Sequence, residues 1–159
     1  MIRILMPLAI VAAIFFGPMF AEESSGSVTG DTTRIITGDY FIGGVIDCVM
    51  KLKAPIGEAC ATEGVADKFT GVSRVMSLAS VIALAAAAVG ILGLLPFVGR
   101  LTSIVTVIAG LAAMGSMGML ALTMMSTSEG LPGMQWGAYL AAAAGLLTLI
   151  SGLSGMRGR

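Results

Sequence analysis

Four long apolar stretches, separated by polar connections, dominate the pattern of hydrophobic and polar positions along the chain. A helix needs about 20 residues to cross a hydrocarbon core about 30 Å thick. The last three stretches are that long, and none of them contains Asp, Glu, Lys or Arg. The pattern therefore predicts four membrane helices, which cover residues 1–21, 75–98, 101–125 and 136–156.

The first stretch also resembles a secretory signal, since Arg3 precedes the apolar run and Ala21 is a candidate cleavage site. Met19 is a poor residue for the third position before such a site. Pro7 near the beginning and Gly17-Pro18 near the end suit the limits of a helix. We interpret the segment as a retained anchor helix. Cleavage would instead leave three spans and an outer N-terminus.

The composition supports a membrane protein. Hydrophobic residues make up 57% of the 159 residues and charged residues only 11%, against about 25% in a typical soluble domain. The mean hydropathy is +0.98, and the formal net charge is zero. A nucleic-acid partner is not expected, because its binding would need an excess of basic residues.

Several kinds of chemistry have no support in the sequence. The chain contains no histidine, which is the commonest ligand for zinc and haem iron and the commonest general base near neutral pH. Nucleotide-binding, serine-hydrolase and metalloprotease motifs are also missing. We therefore predict that the protein is not an enzyme and that it uses no cofactor, metal or small-molecule substrate.

Basic residues predict the orientation in the membrane. Cytoplasmic connections are enriched in Lys and Arg. The short N-terminal end, the tight turn between the second and third stretches and the tail at residues 157–159 carry basic residues and no acidic ones: Arg3, Arg100, Arg157 and Arg159. We predict that both termini are cytoplasmic, in a plasma membrane or a bacterial inner membrane. Residues 22–74 and 126–135 then form the outer loops.

The larger outer loop has the pattern of a small antiparallel sheet. It begins with a linker, Glu22–Ser27, that we expect to be mobile. The run Thr32–Ile36 is rich in β-branched residues, and Ile46–Lys53 alternates apolar and polar positions, as half-buried strands do. A turn around Pro55 and a short return strand over Glu58–Thr62 would complete a hairpin.

Cys48 and Cys60 lie at equal distances from residue 54, the midpoint of this hairpin. Disulfides persist outside the cytoplasm, so we predict a structural bridge that pins the sheet. The alternative is a redox-active pair. Such cysteines are typically two residues apart at the start of a helix, whereas eleven residues separate these two.

This layout resembles the claudin superfamily of four-helix membrane proteins. Gly43, Cys48 and Cys60 match the family's first-loop pattern of Gly-Leu-Trp-x-x-Cys followed by a second cysteine, with Val45 at the position of the tryptophan. Arg74, directly before the second stretch, also matches. The resemblance implies a membrane all-α four-helix bundle with a small extracellular antiparallel β-sheet in the first outer loop.

Small residues recur at four-residue spacing within the predicted helices, which lets helix backbones approach closely. They serve either packing inside one bundle or lateral association with another copy or another protein. The pairs are Ala86 and Gly90, Ala109 and Ala113, Ala138 and Ala142, and Ala141 and Gly145.

Two aromatic residues, Trp136 and Tyr139, begin the fourth stretch. Amphipathic aromatic side chains favour the interface between membrane and water. We expect both to be interfacial anchors.

The sequence leaves three hypotheses about function. The first is a non-enzymatic, claudin-like tetraspan protein that acts as a self-assembling scaffold through lateral and outer-face contacts. The second is an accessory, cofactor-free subunit of a larger respiratory, photosynthetic or transport complex. The third and weakest is a self-assembled channel lined by charges of the outer loop. In each case the partners are the lipid bilayer and other protein chains.

Overall fold

The structure is a computed structural model that describes residues 2–24, 32–51, 59–92, 99–126 and 133–157. It is predominantly helical, with one small antiparallel sheet. The elements, in chain order, are α1 (Ile2–Phe16), β1 (Pro18–Ser24), β2 (Thr32–Thr37), α2 (Asp39–Ile42), α3 (Val45–Met50), a 3₁₀ turn (Asp67–Phe69), α4 (Thr70–Leu92), α5 (Gly99–Met125) and α6 (Trp136–Arg157). We call residues 18–69, between α1 and α4, the connecting region.

Within the described residues, three helices are long and apolar enough to cross a membrane. The candidate spans are Asp67–Ile91, Thr102–Met125 and Trp136–Met156, which fall on α4, α5 and α6. Residues 93–98, at the end of the predicted second span, and residues 158–159, in the predicted tail, lie outside the described residues. The chain thus has the helices of a membrane protein.

Helix α1 is shorter than predicted. Its 15 residues extend over about 22 Å, less than the roughly 30 Å of a hydrocarbon core. The prediction of an apolar helix up to Ala21 is wrong, because β1 begins at Pro18. Proline cannot continue the helical hydrogen bonding and disfavours the α conformation at the residue before it. That α1 crosses the bilayer, as a claudin-like four-helix fold requires, stays a prediction.

The four long helices pack side by side. Helix α1 packs on α4 and α6, and α5 packs on the same two helices. The α5–α6 contact is the most extensive, because small residues bring the two backbones together. A Cβ atom on Gly110 would lie 2.8 Å from the carbonyl oxygen of Gly145 and 2.7 Å from the amide nitrogen of Leu149. Only glycine fits at this crossing.

The sheet is formed by β1 and β2, which pair antiparallel with Phe20 opposite Ile36 and Ser24 opposite Thr32. The prediction of a strand over Thr32–Ile36 is confirmed. The predicted mobile linker is wrong at residues 22–24, which belong to β1, and its remainder lies outside the described residues. Three buried phenylalanine rings pack beneath the hairpin at centroid distances of 5.2 to 5.9 Å: Phe20, Phe41 and Phe69.

The second predicted strand is wrong. Val45–Met50 forms the short helix α3, and residues 59–62 of the expected return strand are not a strand either. Residues 52–58, with the expected turn, lie outside the described residues. The helix buries Val45 and Cys48, three positions apart, against the protein. A short alternating run satisfies strand and helix patterns alike, and here tertiary packing favours the helix.

Candidate interaction region

Cys48 and Cys60 form a disulfide, as predicted, with their Cα atoms 4.4 Å apart. Both cysteines are buried. The bridge does not join the strands of a hairpin, however. It attaches α3 to the segment that leads toward α4, so the prediction that it pins the sheet is wrong. The bridge instead fixes the position of α3.

Thr62 adds a second attachment for the beginning of α3. Its hydroxyl oxygen accepts a hydrogen bond from the backbone N–H of Gly44 at 3.1 Å. The same hydroxyl donates to the carbonyl oxygen of Phe41 at 2.9 Å. Helix α3 has only six residues, and a helix that short is unstable alone. It therefore depends on these hydrogen bonds and on the disulfide.

The carbonyl oxygen of Phe41 is the centre of a buried hydrogen-bond network. Besides Thr62, it accepts from the hydroxyls of Ser73 at 2.6 Å and Ser77 at 3.4 Å. Both serines are fully buried on α4. The network satisfies polar groups in an otherwise apolar environment and attaches α2 to the first turns of α4.

Arg74, which the sequence assigns to the claudin-like motif, follows Ser73 on α4. Its side chain is half-buried, and its Nε atom is buried without a hydrogen-bond partner among the described residues. The motif residues thus gather at one place: Gly43 precedes Gly44, the two cysteines are bonded, and Arg74 lies beside the serine network.

The connecting region is also tied to the beginning of α6. The backbone N–H of Gln135 donates to the carbonyl of Met19 at 2.9 Å, and Met134 forms a β-bridge with Phe20. A Cβ atom on Gly137 would lie 2.5 Å from the carbonyl oxygen of Pro18. Strand β1 therefore has neighbours on both edges, one of them from the second loop.

Most of the small residues at four-residue spacing pack inside the chain. Only Ala142 is half-buried, and the other seven are buried: Ala86, Gly90, Ala109, Ala113, Ala138, Ala141 and Gly145. Their backbones therefore offer little surface to another molecule.

Trp136 and Tyr139 are exposed at the beginning of α6. Trp136 borders an apolar cleft of about 280 Å³ between α1 and α6. Tyr139 borders a second one of about 300 Å³ between α5 and α6. That these two residues anchor the chain at the membrane interface stays a prediction.

Sequence reasoning missed the serine–threonine network and the close approach of Gly17 to Gly137. A signal for the network was present, because Ser73, Ser77 and Ser80 recur at helical spacing in an apolar helix. Among the described residues, no group of three or more Asp, Glu, Cys or His side chains is arranged to hold a metal ion.

Comparison of the chain with protein-family models, with curated proteins and with solved structures found no match. The interpretation of function therefore rests on the residues and contacts described above.

Proposed function

We propose that the protein is a non-enzymatic, self-assembling membrane protein of claudin-like type, whose copies contact one another through the connecting region on the outer side of the membrane. The observation that carries the proposal is the free edge of β2. Strand β1 is paired on both edges, whereas β2 is paired only with β1 among the described residues.

An unpaired edge presents a row of backbone N–H and C=O groups that can pair with a neighbouring chain. Strand β2 contains no proline or glycine and is rich in β-branched residues, which favour pairing. Ile35 adds an exposed apolar side chain, with 60% of its surface accessible. Arg34 is its only charged residue. Pairing of two β2 strands would extend the two-stranded sheet across a contact between copies.

The claudin-like arrangement requires α1 as a fourth span. Two observations support this part of the proposal. Helix α1 packs against two candidate spans, and three of its exposed side chains are large and apolar, as suits lipid contact: Leu5, Leu8 and Phe16. Basic residues at the opposite ends of the helices, together with the disulfide, favour cytoplasmic termini and an outer connecting region.

Cross-linking through new cysteines tests the contact in the native membrane. R34C and I35C each place a thiol on β2, and E63C places one on an exposed turn away from the sheet as a matched control. The native cysteines are bonded to each other and do not interfere. After mild oxidation we expect a disulfide-linked dimer from the β2 variants and none from E63C.

Equal cross-linking of all three variants, or of none, would contradict pairing through β2. Gentle extraction, sizing of the particle and mass spectrometry provide the second measurement. A particle that contains several copies of this chain alone supports self-assembly. A fixed ratio to other subunits would identify an accessory subunit of a larger complex and overturn the proposal.

A further inference from the structure

Helix α3 has an exposed apolar face that the proposed contact through β2 does not use. Ile46, Val49 and Met50 are 75%, 46% and 79% accessible. Their spacing of three and four residues places them on one side of the helix. Three large apolar side chains on a helix of six residues are more than the scattered exposure of an ordinary surface.

The circumference of α3 divides into three sectors. Val45 and Cys48 face the protein, and the apolar sector lies beside them. The third sector carries the exposed Asp47, and the exposed Lys51 follows as the C-terminal cap, with its backbone N–H bonded to the carbonyl of Asp47. At about 3.6 residues per turn the three sectors each take roughly a third of the circumference. Apolar and polar groups are thus separated on the exposed surface, as in a helix that lies at an interface.

The position of α3 follows from its attachment to α4. Ser73 and Ser77, buried beneath Phe41, lie on the same line along α4 as the exposed Leu84 and Ile91. Residues 77, 84 and 91 are 4, 11 and 18 positions after Ser73, close to one, three and five turns of about 3.6 residues. The connecting region therefore covers one end of a side of α4 that exposes Leu84 and Ile91 farther along the helix.

The height of this attachment matches the membrane boundary. The charge-free run of α4 begins at Val75, directly after Arg74 and between the two serines. On the neighbouring helix, the backbone N–H of Gly38 bonds to the carbonyl of Gly17 at the end of α1. Gly17 is also in close contact with Gly137 of α6, so Trp136, next to Gly137 in the chain, lies at the same level. Tryptophan is a residue that favours the membrane interface.

We propose that α3 is an interfacial helix, whose apolar face lies among the headgroups and upper acyl chains of the bilayer in which the protein sits. Its polar sector faces water, and the Cys48–Cys60 disulfide fixes the rotation that keeps the two sectors apart. The bilayer is the expected occupant because the connecting region is attached at the end of α4 where its charge-free run begins, and large side chains exposed farther along that helix are apolar. The inference does not depend on pairing through β2.

Tryptophan quenching in lipid nanodiscs tests this inference, because both faces of the disc are accessible to solutes. Trp136 is the only tryptophan and is first replaced by phenylalanine. Three single probes follow in that background: M50W on the apolar sector, D47W on the polar sector of the same helix, and I35W on β2. Ile35 matches Met50 in being apolar and exposed but lies opposite Ala21, five residues along the hairpin from the end of α1.

Nanodiscs made with brominated acyl chains should reduce the fluorescence of M50W roughly twofold relative to unbrominated lipid and leave D47W and I35W nearly unchanged. Aqueous iodide should give the opposite order. V49W provides a second probe of the apolar sector in case M50W fails to fold.

Iodide quenching of both apolar-sector probes, without quenching by brominated lipid, would overturn the proposal in favour of a water-exposed face. Protection from both quenchers, with iodide access gained when the protein is diluted in lipid, would assign the face to a contact with another copy. That result also overturns the proposal.

Discussion

Removal of the disulfide should release α3 and leave the β1–β2 sheet intact. The bridge joins α3 to the segment before α4, whereas the sheet is held by its own ladder, by Met134 and by the phenylalanine cluster. The double variant C48A/C60A makes this separation testable.

The size of the effect follows from the loop that the bridge closes. A sequence separation of 12 residues corresponds to about 3 kcal/mol of stabilisation on the chain-entropy model. Since every 1.4 kcal/mol is about a factor of ten in an equilibrium constant, local opening should become roughly a hundredfold more frequent. The Thr62 hydrogen bonds remain in the variant and keep α3 partly attached.

Amide hydrogen exchange measures that opening directly. The amides of Cys48 and Lys51, which bond to the carbonyls of Gly44 and Asp47 within α3, report on this helix. They should exchange roughly a hundredfold faster in the variant. Amides of the β1–β2 ladder should keep their wild-type rates. Reduction of the unmodified protein controls for the packing lost with the two sulfur atoms.

Two results would refute the reasoning. Unchanged protection of α3 would mean that other contacts hold it and that the disulfide adds little. Equal loss of protection in the sheet would mean that the connecting region opens as one cooperative unit, in which case the bridge does pin the sheet indirectly.

Two further predictions concern hydrogen bonding and helix contacts, and thermal unfolding in detergent checks both. Thr62→Val removes two partly buried hydrogen bonds and should destabilise the protein by about 1–3 kcal/mol, whereas loss of the exposed hydroxyl in Ser154→Ala should change little. A similar shift in both variants would argue against a special role for the network. Gly137→Ala places a methyl group 2.5 Å from the carbonyl oxygen of Pro18 and should cost about 1–3 kcal/mol. Gly118→Ala, with no atom within 4 Å, should be neutral or stabilising, so equal losses would contradict the close contact.

The long helices were predictable because each property that defines them is local in sequence. About 20 apolar residues without a charge have few alternatives to a membrane helix. The end of α1 was also encoded locally by Gly17-Pro18, but the apolar residues Met19 and Phe20 extended the hydrophobic pattern beyond it. Hydrophobicity alone does not distinguish the end of a helix from the beginning of a buried strand.

The connecting region was less predictable because its structure depends on contacts distant in sequence. The run that became α3 fits both a strand and a helix, and what decides between them is burial of Val45 and Cys48 against the chain. The pairing of Cys48 with Cys60 was predicted correctly, although the hairpin on which the argument partly relied is not formed. The outer location and the presence of just two cysteines were sufficient for it. The network at Phe41 joins residues up to 36 positions apart. The helical spacing of Ser73 and Ser77 indicates polar groups on one side of α4, but no local pattern predicts the carbonyl that they share.

The two proposals together restrict how copies of the protein can meet. The connecting region is attached to α4 through Phe41 and Thr62, and to the beginning of α6 through Met19 and Gln135. If α3 also lies in the headgroup region, the hairpin is held at a fixed height above the membrane. Edge strands of neighbouring copies in one membrane would then meet at the same height and pair without deformation of either chain. Loss of the disulfide should consequently weaken cross-linking at β2 even though the strand itself remains folded, because α3 no longer restricts the orientation of the hairpin.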